Sequence, residues 1–156
     1  MSKTVAITGI SRGIGLELAK AYLEKGCTVH GTVRKANPAV EQLQKDFPDS
    51  LHLHHVDVTD DASVKKLGTD LGGAVDVVIN NAGALSGYQT KFEELDPAEL
   101  SQIFDINVNG PLRVTQALLP ALKKAASPKL VHVSSCLLYT SPSPRDQRGS
   151  RMPSSA

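Results

Sequence analysis

The stretch Thr8-Gly9-Ile10-Ser11-Arg12-Gly13-Ile14-Gly15 holds the residue types and spacing best suited to chemistry. The apolar run Val5-Ala6-Ile7 leads in, and Ile14, Leu18, Ala21 and Tyr22 lead out at helical spacing. A glycine-rich turn from strand into helix exposes backbone N–H groups at the positive end of a helix dipole, which suits a phosphate. Gly9 allows a tight turn, Gly13 lets the backbone approach a pyrophosphate, and Gly15 lets the helix pack close to the sheet.

A second set of candidates lies at the ends of the apolar runs that follow. An acidic residue about 20 residues past the glycines would bond the ribose hydroxyls of NAD. Val33 stands there instead, followed by Arg34 and Lys35. Cations at that place attract a 2′-phosphate, and Arg12 in the glycine turn could add another, which favours NADP over NAD. The plainer reading of Arg34 and Lys35 is a solvated basic loop. Asp57 follows a third run, where a ligand at a sheet's C-terminal edge would meet it, or where it serves as an ordinary turn residue. Asn80-Asn81-Ala82-Gly83 follows a fourth; its amides could tie strands together, and its small residues leave room for a flat ring or a ribose.

Asn107 falls on the apolar side of a helical pattern, four residues before Pro111. Proline has no N–H, so the Asn107 carbonyl loses its helical partner and could hold a water near a reaction centre. The alternative is a kinked helix with a locally satisfied polar residue. Ser135 ends a fifth run, at the edge where parallel sheets keep their chemistry, although a serine alone is commonplace. His52 and His54 alternate with leucines and so share a strand face, but no carboxylate or cysteine pattern completes a metal site.

The elements that must position these residues alternate. Strands are expected near 3–8, 28–33, 51–56, 75–79 and 129–133. Helices are expected from Arg12 to Lys25, with Gly26 as C-cap, from Pro38 through Phe47, after a Thr59 or Asp60 cap, and from Asp96-Pro97-Ala98-Glu99 onward. That last helix carries Leu100, Ile103, Phe104, Val114, Leu118 and Leu122 on one side, with a kink eased by Gly110. The fifth strand is expected to be buried.

Composition agrees with one soluble domain: 156 residues, 40% apolar, net charge +1. No basic stripe suggests nucleic acid, and no apolar stretch suggests a membrane span. Cys27 and Cys136 fit no disulfide or metal framework, and the N-terminus carries no signal pattern, so a cytoplasmic location is expected. From Cys136 to Ala156 the chain turns rich in proline, serine and arginine. That tail is expected to be either disordered or foreign to the domain; Cys136 to Asp146 resembles translated sequencing-adapter read-through.

Together, Thr8-Gly9-x-x-x-Gly13-x-Gly15, Asn80-Asn81-Ala82-Gly83, Asn107 with Val108 and Gly110, and Val133-Ser134-Ser135 resemble the classical short-chain dehydrogenases/reductases. Gly31-Thr32-Val33-Arg34 is similar to the small carbonyl-reductase branch near the C-factor proteins. The resemblance implies an α/β fold, a Rossmann-type doubly wound parallel sheet over residues 1–135, truncated after its fifth strand. It implies an NADP-dependent carbonyl reductase or alcohol dehydrogenase acting on a small-molecule substrate, the parent being a homo-oligomer or a monomer.

By the same resemblance Gly9, Ser11, Arg12, Ile14 and Gly15 hold the pyrophosphate and its surroundings, with Gly13 beside them. Arg34 takes the 2′-phosphate, Asp57 and Val58 the adenine, and Asn81, Ala82 and Gly83 the ribose side. Ser135 bonds the substrate carbonyl, and the Asn107 carbonyl holds a relay water. One departure matters. The family's proton donor is a tyrosine with a lysine four residues later, about a dozen residues past the serine. Here Tyr139 follows Ser135 too closely, Ser143 stands at the lysine position, and no lysine occurs after Lys129. The chain is therefore expected to be an inactive fragment of an oxidoreductase. The alternatives are a catalytically inactive NADP-binding sensor module and a non-functional product with an open sheet edge.

Overall fold

The computed structural model describes residues 2–85 and 91–135, which form one parallel five-stranded sheet with helices on both faces. In chain order the elements are β1 (Thr4–Ile7), α1 (Gly13–Glu24), β2 (Thr28–Val33), α2 (Pro38–Asp46), β3 (Leu51–His55), α3 (Asp61–Asp70), β4 (Val77–Asn80), α4 (Pro97–Phe104), α5 (Gly110–Leu122) and β5 (Lys129–His132). The sheet order is β3-β2-β1-β4-β5. The chain thus builds outward from β1 to β3, then crosses back to lay β4 against the other side of β1. The reversal leaves a crevice at the C-terminal ends of β1 and β4, where doubly wound sheets bind ligands.

Two cores hold the layers. Val5, Ile7, Val29 and Val33 of the sheet meet Ala19 and Leu23 of α1 and Val40 and Leu43 of α2. On the other face Ala6 and Val78 meet Val64 and Leu67 of α3 and Val114 and Leu118 of α5. β4 is buried on both faces, as its unbroken apolar run requires in a parallel sheet.

The helix ends follow their local chemistry. Asn37, Asp60 and Asp96 accept from the N–H groups of Val40, Ala62 and Ala98, so Asp60 rather than Thr59 is the cap of α3. After α1, Gly26 takes φ +74°, its N–H donates to the Leu23 carbonyl and the Cys27 N–H to that of Tyr22. That bond pair satisfies two end carbonyls and needs a left-handed residue at position 26.

Three expectations need correction. First, the helix from Pro97 is not a simple kinked rod. A π turn (Asp105–Asn109) joins α4 to α5, with the Gly110 N–H donating to the Asp105 carbonyl. Pro111 supplies no N–H, and the ladder widens at this point. Gly110 itself has ordinary helical angles, and its smallness serves packing: a Cβ there would sit 2.9 Å from Val58 Cγ2. Second, Leu100 and Phe104 are exposed, because α4 runs straight on into the π turn and is not laid against the sheet. Third, β5 is exposed along its length, and among the described residues it is an edge strand paired to β4 alone. The expected tail, Tyr139 and Ser143 lie outside the described residues. Among the described residues no helix is long and apolar enough to cross a membrane.

Candidate functional site

The C-terminal ends of β1, β2, β3 and β4 border a cleft of about 790 Å³. Its volume is in the range of small-molecule and cofactor sites. Gly9, Ser11, Arg12, Gly13, Ile14 and Gly15 form one wall, Arg34 the far end, Asp57 and Val58 the floor beyond β3, and Asn81, Ala82 and Gly83 the side next to β4. The fold therefore gathers every residue named above for cofactor binding into one cavity.

The glycines divide their work. Gly9 and Gly13 have φ of +73° and +56°. A Cβ on Gly13 would meet nothing within 4 Å, so its backbone is open to approach from the cleft. Gly15 is buried, and a Cβ there would run into the Gly9 carbonyl oxygen and Asn81 Nδ2. The first turn of α1 thus lies directly against the turn that precedes it.

Asn81 holds that turn in place. Its Nδ2 donates to the Thr8 and Gly9 carbonyls at 3.0 and 3.1 Å. The Thr8 hydroxyl accepts from the N–H groups of Asn81 and Ala82, both at 3.0 Å. The expected tie between strand ends is present, and it occupies the Nδ2 donors of Asn81. Thr8 carries the other half of this tie; only its place before Gly9 in the motif hinted at a role.

On the β2 side, Gly9 and Ile10 donate their N–H groups to the Thr32 carbonyl at 3.1 and 3.0 Å. Asn37 Nδ2 donates to the Ser11 carbonyl at 2.7 Å. Arg34 and Lys35, both exposed and both lining the cleft, lie between these attachments. Asp57 accepts at one oxygen from the Thr59 N–H (2.9 Å) and hydroxyl (2.7 Å). Those bonds, helped by the Arg34 charge, hold its carboxyl below the ordinary range. Asp57 is thus a turn residue and a cleft residue together.

A second hollow of about 510 Å³ adjoins the first, lined by Asn80, Asn107, Pro111, Thr115, His132 and Ser134 among others. Buried Asn80 donates to Thr115 Oγ1 at 3.1 Å, while its Oδ1 is buried with no partner among the described residues. Asn107 is exposed rather than turned into the core. Its Oδ1 accepts from the Ala84 N–H at 2.9 Å and its Nδ2 donates to the Ala84 carbonyl at 2.8 Å. The side chain therefore pins the segment leaving β4, and only the main chain remains for the expected water. Ser135 lies past the end of β5 and lines neither hollow; its neighbour Ser134 lines the second.

The histidines stand apart, on the sheet face that meets α3. His30 Nδ1 and His54 Nε2 are 3.0 Å apart, and His30 stacks on His52. Burial, then the nearby His54 and His52, lower the His30 pKa to about 4.

Comparison with known proteins agrees with this geometry. The chain is 35% identical over 143 residues to an uncharacterized oxidoreductase of Bacillus subtilis, covering 86% of this chain and 50% of that one. It is 34% identical over 157 residues to (+)-neomenthol dehydrogenase of Arabidopsis thaliana, covering 84% and 53%. Among solved structures, a short-chain dehydrogenase from Streptomyces avermitilis superposes with a TM-score of 0.78 at 37% identity, over 86% of this chain and 50% of that one. An NADPH-bound carbonyl reductase from chicken fatty liver gives 0.80 at 27% identity, over 88% and 61%. The chain spans about half the length of such curated relatives. A family model described as short chain dehydrogenase matches residues 3–141, and the chain belongs to that family of oxidoreductases.

Proposed function

We propose that the larger cleft binds NADPH in preference to NADH, and that the chain forms the cofactor-binding part of an oxidoreductase acting on a small carbonyl or alcohol. The observation that carries this reading is the lining of the cleft, which includes Arg12, Arg34 and Lys35, with Val33 in place of an acidic residue at the end of β2. The open backbone at Gly13 fits a pyrophosphate. The NADPH named in the description of the chicken carbonyl reductase supports the same choice.

When bound, NADPH supplies a hydride. The chain's own residues orient it: the glycine turn by its N–H groups, Arg34 by charge at the 2′-phosphate, and Asp57 and Val58 beside the adenine. Ser135 donates to a carbonyl oxygen of the substrate, and the Asn107 main-chain carbonyl, which Pro111 cannot pair, holds a water. No tyrosine followed four residues later by lysine comes after Ser135, so the expected behaviour of this chain is binding without turnover.

Fluorescence titration of the full chain with NADPH and NADH tests the reading. NADPH is expected to bind more tightly. Arg34→Asp should shift the ratio of the two affinities by about tenfold or more toward NADH, the worth of a charge-assisted contact. An unchanged ratio would remove Arg34 from the site and the NADPH preference with it.

A further inference from the structure

The loop between β2 and α2 is four residues long, from Arg34 to Asn37, and it carries Arg34 and Lys35. A loop of exposed basic residues makes a poor phosphate site unless something fixes its path, because ordering long charged side chains costs conformational entropy. This loop is attached to the glycine turn on both sides. Just before it, in β2, Thr32 accepts from Gly9 and Ile10 through its carbonyl, and from Gly9 again through Oγ1 at 3.2 Å. At its end Asn37 donates to the carbonyl of Ser11, the next residue along the turn. Gly9, Ile10 and Ser11 are thus joined in succession to the segment that bears the cations.

Asn37 makes a second bond with its other side-chain atom. Its Oδ1 accepts from the Val40 N–H at 3.0 Å and caps α2. Capping alone would be served as well by serine, threonine or aspartate, which all have an acceptor. The donor to Ser11 is a separate requirement: a serine or threonine hydroxyl also has an O–H, but among these cap residues asparagine alone carries acceptor and donor on two separate atoms that can reach Val40 and Ser11 at once. Gly31 adds to the closeness of the two segments: a Cβ there would collide with the Ile10 side chain.

We infer that Asn37 is a specificity-positioning residue: by tying Ser11 to the end of the β2–α2 loop, it holds the backbone that bears Arg34 and Lys35 beside the turn that bears Arg12, as one site for a 2′-phosphate. This rests on the NADPH reading above and adds a residue that touches no part of the cofactor. The tie fixes in advance the backbone that carries the cations, so binding has only their side chains left to order. Because it lies at the 2′-phosphate end of the cleft, its loss weakens NADPH and leaves NADH, which lacks that phosphate, nearly unchanged.

The test uses the full chain and two variants, Asn37→Ser and Asn37→Thr. Both keep an N-cap acceptor and remove the amide donor. Thermal unfolding without cofactor should change little, showing that the cap survives. Titration should give about fivefold weaker NADPH binding in both variants, the worth of one hydrogen bond, with NADH affinity unchanged within about twofold. Equal weakening of both cofactors, or no change in either, overturns the assignment, since a merely structural residue would not move the ratio. If one variant fails to fold, the other decides. Arg34→Asp is the control on the underlying reading. A ratio that responds to Arg34→Asp but not to the Asn37 variants removes Asn37 alone, whereas a ratio that responds to none, or a parent chain that binds neither cofactor, removes both.

Discussion

At the scale of single residues, the glycine turn contains two kinds of glycine that sequence spacing treats alike. Gly13 is glycine for its backbone angle, at φ +56° with open space where a side chain would go. Gly15 is glycine for its contacts, since a Cβ would strike the Gly9 carbonyl and the Asn81 amide. The two should respond differently to alanine. Gly13→Ala should cost about 1 kcal/mol, the price of a left-handed non-glycine residue. Gly15→Ala should cost about 3 kcal/mol, because a backbone carbonyl and a doubly bonded amide cannot both yield. Urea midpoints at constant slope measure both, and equal costs would refute the distinction. Asn81 illustrates the same point for polar groups. Its Nδ2 donors are occupied by the Thr8 and Gly9 carbonyls, so its side chain holds the turn while the residue also lines the cleft.

At the scale of elements, β2 carries two loads at different places along its length. Its C-terminal end serves the cleft, while His30 lies on the α3 side against His52 and His54 of β3. α3 faces this group with Asp70, 3.9 Å from His54 Nδ1, and with Lys66, which pairs with Asp70 at 2.7 Å. His30 is lowered from 6.5 to about 4, first by burial and then by its histidine neighbours. His54 is also lowered, by burial foremost, with Asp70 opposing. A histidine whose folded pKa lies below its unfolded value binds fewer protons when folded, so acid favours the unfolded chain. Stability should be full above pH 6.5 and fall as the pH drops toward 4. His30→Val should flatten that slope, because it removes both the buried titrating group and one partner of the His54 contact. Urea unfolding across this pH range checks it, and an unaltered slope in the variant would place the acid sensitivity elsewhere.

At the scale of the whole molecule, the two cores meet only through the sheet, and the cleft sits where the elements above both cores end. A ligand in the cleft touches the glycine turn of β1, the loop after β2, the turn after β3 and the end of β4. It should therefore stabilise the molecule as a unit rather than one loop. With NADPH at a hundredfold over its dissociation constant, the gain should be about 2.7 kcal/mol, seen as a raised unfolding midpoint. Leu118→Ala, which opens a fully buried position between α5 and the sheet, should cost about 2–5 kcal/mol. That variant should still gain from NADPH, since Leu118 lies away from the cleft. Loss of the NADPH gain in this variant would mean that core and cleft are not separable.

The alternation of elements, the helix cap at Asp96, the start of α3 at Thr59 or Asp60, the glycine turn and the double burial of β4 were all legible in the sequence. Each depends on residues close together in the chain, through periodicity, side-chain capping or a turn that needs glycine. The grouping of cofactor candidates could also be inferred, because in a doubly wound sheet strand ends are brought to one edge. What the sequence did not disclose was which partner each polar group takes. Asn107 was expected to face inward, yet it pins Ala84 on the surface. Gly110 was expected to ease a kink, yet it makes room for Val58. β5 was expected to be buried, yet it is exposed. Asn37 was passed over, although a cap before Pro38 could have been named from sequence; its bond to Ser11 spans 26 residues and could not. Local chemistry determined the elements and where they begin and end. Only the tertiary structure decided which groups meet across long separations, since hydrogen-bond partners and packing neighbours depend on how finished elements are brought together in space.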